Sequence, residues 1–210
     1  MPELQNAAFF KLSYGLYLLS SGNNKKQDGS INNTVIQVTD VPKQLAVTVN
    51  KASLTHELIA ETGLFNVSAL TTDAPYELYW RFGYQSGRNV DKFDGFSDVE
   101  RSENGLLYLT KYANALLSGK VTFSKDLGTH TLFVADTTEA HILSDGESVT
   151  YQYYFDHIKP KPAAKSAGKA DGKKGYVCKI CGWIYEGEPL PPDIICPVCG
   201  HGAQDFEPLQ

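Results

Sequence analysis

The sequence predicts a mainly β protein in two parts, a small barrel with one main helix and a small four-cysteine domain. Short segments rich in Val, Tyr, Phe and Thr recur through positions 1–157 and are bounded by Gly, Pro, Asn and Asp. A single segment has clear helical spacing. All four cysteines of the 210-residue chain lie between positions 178 and 199. These three observations together favour the two-part architecture.

The β segments are short and apolar, which is typical of strands in a barrel or sandwich. In chain order they are 14–20, 33–39, 44–50, 64–70, 106–110, 115–124, 130–138 and 148–158. The helix is predicted at 53–63, where Leu54, Leu58 and Ile59 share one face. Ser53 or Thr55 fits its N-cap, and Gly63 fits the residue after its end. Many strands with one helix favour a barrel whose end the helix plugs.

A change in composition divides the chain. Residues 158–175 contain six lysines, two prolines, three glycines and no aromatic residue. Such a segment cannot bury enough apolar surface to fold by itself. The sequence therefore predicts a first domain at 1–157, a flexible linker at 158–175 and a second domain at 176–210.

Composition and charge exclude several classes of function. A net charge of -5 argues against nucleic acid as a general partner. The sequence has no apolar run of eighteen or more residues, so no membrane-spanning helix and no membrane partner are expected. Nothing in the sequence indicates export, and we expect a cytoplasmic protein.

The cysteines form two Cys-x-x-Cys pairs with fourteen residues between the pairs. Two disulfides are disfavoured because each adjacent pair would close only a tiny loop, and because disulfides need an oxidising compartment. Four thiolates at this spacing suit a tetrahedral site for zinc or iron. The spacing falls just below the usual range for zinc sites, and from the cysteines alone both metals stay open.

The surroundings of the cysteines resemble rubredoxin. The matching features are Tyr176, the knuckle "CKICG", the aromatic residues Trp183 and Tyr185, the knuckle "CPVCG" and the ending "DFE". The loop between the knuckles is short, as in the rubredoxin-like ends of rubrerythrins. The resemblance implies one iron ion per chain, bound by Cys178, Cys181, Cys196 and Cys199.

Three stretches of the first part carry polar residues suited to a ligand. "NKASLTHEL" (50–58) opens the helix, and a helix N-terminus with a lysine beside it can bind phosphate. "INNTVIQVTDVP" (31–42) could hydrogen-bond a planar heterocycle, and "FGYQSGRNVDKF" (82–93) is turn-rich and basic. Each has an ordinary alternative, namely a helix cap, a strand with one wet face and a surface loop.

Taken together, these stretches resemble the flavin reductase-like, FMN-binding split-barrel family. The tandem arrangement is most similar to the high-molecular-weight rubredoxins. The resemblance implies a homodimeric Greek-key barrel with FMN near the subunit interface. The residues expected to meet the isoalloxazine ring are Asn33, Thr34, Val35 and Gln37. Those expected to hold the phosphate are Lys51, Ser53, Thr55 and His56. Those expected to close over the cofactor are Ser86, Gly87, Arg88 and Lys92.

The resemblance implies an electron-transfer protein that needs no catalytic side chain, since its cofactors carry the chemistry. The expected donor is an NAD(P)H-dependent reductase, and the expected acceptor is a flavodiiron protein that reduces oxygen or nitric oxide. Two alternatives stay open. One is a self-sufficient NAD(P)H:flavin or NAD(P)H:rubredoxin oxidoreductase, and the other is a zinc-ribbon interaction protein whose barrel has lost its flavin.

Overall fold

A computed structural model describes residues 6–160, 175–178, 184–194 and 202–209. The chain divides into two compact units, Met1–Lys159 and Pro160–Gln210. Most of the predicted linker, at 161–174, lies outside the described residues. In the described part of the chain, no helix is long and apolar enough to cross a bilayer.

The described part of the first unit contains nine strands and three short α-helices. The strands are β1 (Tyr17–Gly22), β2 (Gln27–Asn32), β3 (Val35–Thr39), β4 (Gln44–Asn50), β5 (Leu64–Leu70), β6 (Val99–Arg101), β7 (Leu107–Leu109), β8 (Ala113–Asp126) and β9 (His130–Ile142). The α-helices are α1 (Leu54–Thr62), α2 (Tyr76–Tyr79) and α3 (Tyr151–Tyr153). Single π-helical turns continue α2 over Trp80–Tyr84 and α3 over Tyr154–Ile158.

Seven of these strands form one antiparallel sheet in the order β2-β1-β5-β8-β9-β4-β3. Its two edge strands, β2 and β3, follow one another in the chain and are joined by Asn33 and Thr34 alone. Two residues span only a short distance. The sheet must therefore curl until its edges meet at this link, which gives the predicted split barrel. The mainly β fold class is confirmed.

The barrel encloses an apolar core to which strands and helix both contribute. Its buried members are Leu19, Val35, Leu45, Val47, Val49, Ile59, Phe65, Val67, Phe133 and Ala135. Ile59 comes from α1, so the helix predicted to plug the barrel contributes a side chain to this core. A second apolar cluster gathers β1, α2, β7 and the α3 segment around Leu18, Tyr79 and Tyr154.

Helix α1 begins and ends where the sequence predicts. The Ser53 side chain accepts a hydrogen bond from the His56 backbone N–H, which is a regular N-cap. Gly63 adopts a left-handed conformation with φ of 68° and donates its N–H to the carbonyl oxygen of Ile59. Few other residues tolerate this conformation, so glycine here stops the helix at low cost.

The described part of the second unit contains a three-stranded sheet in the order β11-β10-β12. These strands are β10 (Tyr176–Cys178), β11 (Ile184–Tyr185) and β12 (Phe206–Pro208). Cys178 lies opposite Phe206 in the antiparallel register, and both are buried. Tyr176, Tyr185, Leu190 and Ile194 pack against them.

The predicted strand at 148–158 is wrong, because α3 and its π-helical turn occupy most of this segment. Thr150 accepts a hydrogen bond from the Tyr153 N–H and so caps a helix. Tyr151 and Phe155, four residues apart, pack edge to face with ring centroids 4.8 Å apart. The strand preference of aromatic residues loses to this packing, since strand propensity depends on context.

Asn66 on β5 holds the β6–β7 segment against the barrel. Its amide nitrogen donates to the Ser102 hydroxyl (2.7 Å) and the Leu106 carbonyl oxygen (3.1 Å). Its amide oxygen accepts from Asn104 and Ser118, each at 2.8 Å. Asn66 is fully buried, so removal of its amide group would leave these partners without a hydrogen bond.

We therefore expect Asn66→Ala to lower the free energy of unfolding by roughly 2–3 kcal/mol, since it leaves buried polar groups unpaired. Urea unfolding followed by circular dichroism measures this change. Asn24→Ala, at an exposed turn position, is the matched control and should stay within about 0.5 kcal/mol of the wild type. Equal stability of both variants would contradict the role given to Asn66.

Candidate functional site

The first turn of α1 lies at the centre of the predicted phosphate-binding site formed by Lys51, Ser53, Thr55 and His56, which we call the phosphate seat. Here the Ser53 hydroxyl accepts from the His56 N–H (3.1 Å) and donates to the Asn50 carbonyl oxygen (2.9 Å). Leu54 and Thr55 are the first residues of the helix, so their N–H groups have no acceptor within it. This helix end carries partial positive charge, which favours an anion.

Each cation predicted to meet the cofactor forms an ion pair in the structure. Lys51 Nζ lies 2.6 Å from Asp126 Oδ2, and this contact draws the pKa of Asp126 below its usual value. The Arg88 guanidinium donates to both carboxylate oxygens of Glu57, each at 2.9 Å, and lowers the pKa of Glu57. Both pairs are exposed and therefore contribute little stability, so a bound anion could redirect either cation at small cost.

Lys92 differs from these two cations because it is buried. Its Nζ donates to the Gly29 carbonyl oxygen and lies 3.1 Å from Asp28 Oδ1, without hydrogen-bond geometry to that oxygen. The Lys92 and Asp28 side chains are 3% and 1% exposed. Burial lowers the pKa of Lys92, and the charge of Asp28 opposes this effect. Lys92 therefore faces the interior of the first unit and not a surface ligand.

Thr55 is also turned inward. Its side chain is fully buried, and its hydroxyl donates to Asp28 Oδ2 at 2.7 Å. The residue as a whole is fully buried, so no atom of Thr55 is open to a phosphate in this structure. The Thr55 hydroxyl, which the sequence predicts to hold the phosphate, is instead hydrogen-bonded to Asp28 in this structure.

His56 lies beside the helix end and is partly exposed. Its Nε2 is 2.8 Å from the Thr131 hydroxyl, and its ring packs near Phe133 at a centroid distance of 5.6 Å. Burial and the charge of Lys51 lower the pKa of His56 from its ordinary value of 6.5. The ring is therefore mostly neutral near pH 7 and is a hydrogen-bonding group rather than a fixed cation.

The loop from Ser86 to Lys92 reaches the same helix end. Besides its pair with Glu57, Arg88 approaches the Ala52 carbonyl oxygen at 3.5 Å. The Ser86 hydroxyl is exposed and accepts from the Arg88 N–H at 3.3 Å. The structure thus brings two of the three predicted groups, 51–56 and 86–92, together within one chain.

The third predicted group lies at the β2–β3 link and along β3. The Thr34 hydroxyl donates to Asn33 Oδ1 at 3.0 Å, and the Thr34 carbonyl oxygen accepts from the Thr48 N–H of β4. Val35 packs in the barrel core, whereas Gln37 is exposed and bonds the Thr39 carbonyl oxygen. Among the described residues, no hydrogen bond or ion pair joins this group to 51–56 or 86–92. Its contact with an isoalloxazine ring stays a prediction.

Of the four predicted metal ligands, Cys178 is described and is fully buried. Cys181, Cys196 and Cys199 lie outside the described residues, as does Trp183. The chemistry of the donor set fits iron or zinc, because four thiolates suit either metal. The aromatic and aliphatic side chains around Cys178 provide the dry setting that such a site needs.

Sequence reasoning missed Asp28, the acid that contacts both Thr55 and Lys92. The dipeptide Asp28-Gly29 reads as a turn, but it lies inside β2. The signal that could have found it is an acidic residue in a short polar run between two predicted strands. A polar run of this kind can form a strand when a buried cation, here Lys92, pairs with its acidic residue.

Comparison with known proteins agrees with this architecture. The family model "Flavin reductase like domain" matches residues 9–161, and "Rubrerythrin, rubredoxin-like domain" matches residues 176–207. The high molecular weight rubredoxin of Moorella thermoacetica is 35% identical over 231 aligned positions, covering 98% of this chain and 100% of that protein. The ferric-chelate reductase (NAD(P)H) of Archaeoglobus fulgidus is 42% identical, covering 73% of this chain and 89% of that protein.

Among solved structures, an FMN-binding protein from Thermus thermophilus has a similar fold. Its TM-score is 0.60 at 17% identity, covering 68% of this chain and 78% of that chain. Fold and family models together define a flavin reductase-like protein with a C-terminal rubredoxin-like domain. Because the similarity extends over the whole length, the chain belongs to the high-molecular-weight rubredoxin family.

The lowered pKa of His56 predicts a pH effect on stability. The unfolded chain binds a proton at this residue more readily than the folded chain, so the folded state loses stability as pH falls below about 6.5. We expect His56→Gln to reduce the drop in melting temperature of flavin-free protein between about pH 7 and about pH 5.5.

Thermal melts in matched buffers measure this effect, with His157→Gln as a control at an exposed position. An NMR titration of the His56 ring gives its pKa directly. A midpoint at or above 6.5 in the flavin-free protein would contradict the assignment.

Proposed function

We propose that this chain is a cytoplasmic electron carrier that works as a homodimer and holds FMN and one iron ion. Electrons enter from an NAD(P)H-dependent reductase and leave to a flavodiiron-type oxygen or nitric oxide reductase. The observation that carries the proposal is the presence of a flavin reductase-like unit and a rubredoxin-like unit in one chain. Two redox domain classes on one chain indicate electron transfer.

The first unit offers a seat for the phosphate end of FMN. The N-terminal end of α1 carries partial positive charge. The exposed cations beside it, Lys51 and Arg88, are paired with the exposed acids Asp126 and Glu57, which release them at little cost. His56 adds a hydrogen-bonding ring beside them. These residues fit a phosphate monoester, whose charge and acceptor oxygens such a helix end favours.

The second unit offers one end of a thiolate site. Cys178 lies in a sheet covered by Tyr176, Tyr185 and Phe206, so its sulfur is shielded from water. We propose that Cys181, Cys196 and Cys199 complete a site for iron, as the rubredoxin-like family model supports. With both groups bound, FMN supplies conversion between two-electron and one-electron transfer and the iron ion exchanges single electrons.

A second candidate function is a self-sufficient NAD(P)H oxidoreductase. The observation that favours it is the 42% identity to a ferric-chelate reductase (NAD(P)H), which covers 73% of this chain. In that case NAD(P)H would reduce the bound flavin directly, and no separate reductase would be needed.

Anaerobic mixing of the purified protein with NADH or NADPH separates the two candidates. As an electron carrier, the protein should bleach at turnover rates only after a catalytic amount of an NAD(P)H-dependent reductase is added. Fast bleaching by NAD(P)H alone would favour the oxidoreductase. A colourless protein with one zinc per chain would overturn both and favour the zinc-ribbon alternative.

Replacement of the predicted metal ligand Cys178 should remove the iron chromophore and leave the flavin chromophore. Cys178→Ser should abolish the visible ferric-thiolate bands, since serine does not replace a thiolate ligand well, and should leave the flavin spectrum. Metal analysis and an absorbance spectrum measure both effects. Loss of flavin together with iron would mean that the units do not bind their groups independently.

Removal of the exposed lysine at the helix end should weaken FMN binding. We expect Lys51→Ala to raise the Kd for FMN by about tenfold, which corresponds to about 1.4 kcal/mol for one charge-assisted contact. Titration of flavin-free protein with FMN, followed by quenching of flavin fluorescence, measures this.

Lys43→Ala is the matched control, because Lys43 is also an exposed lysine paired with an exposed aspartate, Asp40, and lies away from α1. The control should keep the wild-type Kd. An unchanged Kd in Lys51→Ala would remove Lys51 from the phosphate seat.

A further inference from the structure

The buried carboxylate of Asp28 joins three separate segments. It lies on β2, accepts a hydrogen bond from Thr55 in the first turn of α1 and forms an ion pair with Lys92 from the 86–92 loop. Lys92 also donates to the carbonyl oxygen of Gly29, the next residue on β2. A strand, a helix start and a loop therefore meet at one charged group.

The loop backbone rests directly on this carboxylate at Gly87. A Cβ atom added there would lie 2.2 Å from Asp28 Oδ1 and 2.5 Å from its Cγ. These are distances that real side chains do not adopt, so any larger residue would push the loop and the Asp28 carboxylate apart. The close approach of Gly87 places the neighbouring Arg88 where it can reach Glu57 on α1 and Ala52 just before the helix.

Stability alone gives a weak reason for this arrangement. Burying both charges costs free energy, and a well-packed apolar pair would often be as stable. The pair does fix the loop on β2, because movement of either Asp28 or Lys92 would leave the other as an unpaired buried charge. Pairing also neutralises Asp28, which would otherwise repel an anion from the helix end above it.

We propose that Asp28, Lys92, Thr55 and Gly87 form a clasp that holds the Gly87–Arg88 backbone against the first turn of α1. The clasp sets the width of the seat for the phosphate monoester of FMN. Asp28 and Lys92 are positioning residues that do not touch the cofactor. This inference rests on the proposed function, since it takes the phosphate of FMN as the group bound at α1.

The clasp should matter for the phosphate of the flavin and not for its ring. Riboflavin has the same isoalloxazine ring as FMN but carries no phosphate. A change that loosens the clasp should therefore weaken FMN binding and leave riboflavin binding unchanged. A residue with a merely structural role would weaken both or neither.

The test compares Kd values for FMN and riboflavin in full-length, flavin-free protein. The double variant Asp28→Asn/Lys92→Met removes both buried charges while keeping similar side-chain volumes. We expect its Kd for FMN to rise about tenfold or more and its Kd for riboflavin to stay within about twofold. The control Asp40→Asn/Lys43→Met removes an exposed aspartate–lysine pair and should change neither value.

A second variant, Gly87→Ala, displaces the loop without altering any charge and carries the test if the double variant does not fold. It should show the same selective loss of FMN. A folded double variant or Gly87→Ala protein with the wild-type preference for FMN would overturn the clasp alone. Wild-type protein that binds riboflavin as tightly as FMN would overturn the phosphate seat itself, and the clasp with it.

Discussion

The ion pair between Asp28 and Lys92 is the constraint on which the arrangement of the first unit depends. The seven-stranded sheet has β2 and β3 as its edge strands, and Asn33 and Thr34 join these two strands. Asp28 lies on the first of these edges and joins it to the start of α1 and to the 86–92 loop. The buried pair thus connects the split in the barrel to the helix end that offers donors to an anion.

The charged residues around α1 differ in whether a ligand could reach them. Lys51 and Arg88 are paired with acids at the surface, where water screens the pairs and a ligand can compete for the cation. Lys92 is paired where no ligand can reach it. The same residue type is therefore open to a ligand at one position and closed to it at the other, and burial makes the difference.

Much of this fold could be predicted because local signals agreed with the tertiary structure. The strands at 44–50 and 64–70 and the capped helix at 53–63 follow from apolar spacing and from Ser53 and Gly63. The β2 strand could not be predicted, since Asp28-Gly29 reads as a turn until Lys92 is known to neutralise the acid. The helical turn after Thr150 was missed because aromatic packing outweighed strand preference. Two of the predicted segments, 51–56 and 86–92, lie together in the structure, but the inward orientation of Thr55 and Lys92 could be seen only from coordinates.

We propose that the flavin and the iron ion of one protein exchange electrons. Photoreduction of the bound flavin by a light pulse under anaerobic conditions, with the ferric-thiolate band followed in time, tests this most directly. The account predicts that the iron band bleaches with a single first-order rate that does not change with protein concentration, since the two units share one chain. An iron band that persists beside reduced flavin, or a rate proportional to protein concentration, would contradict it.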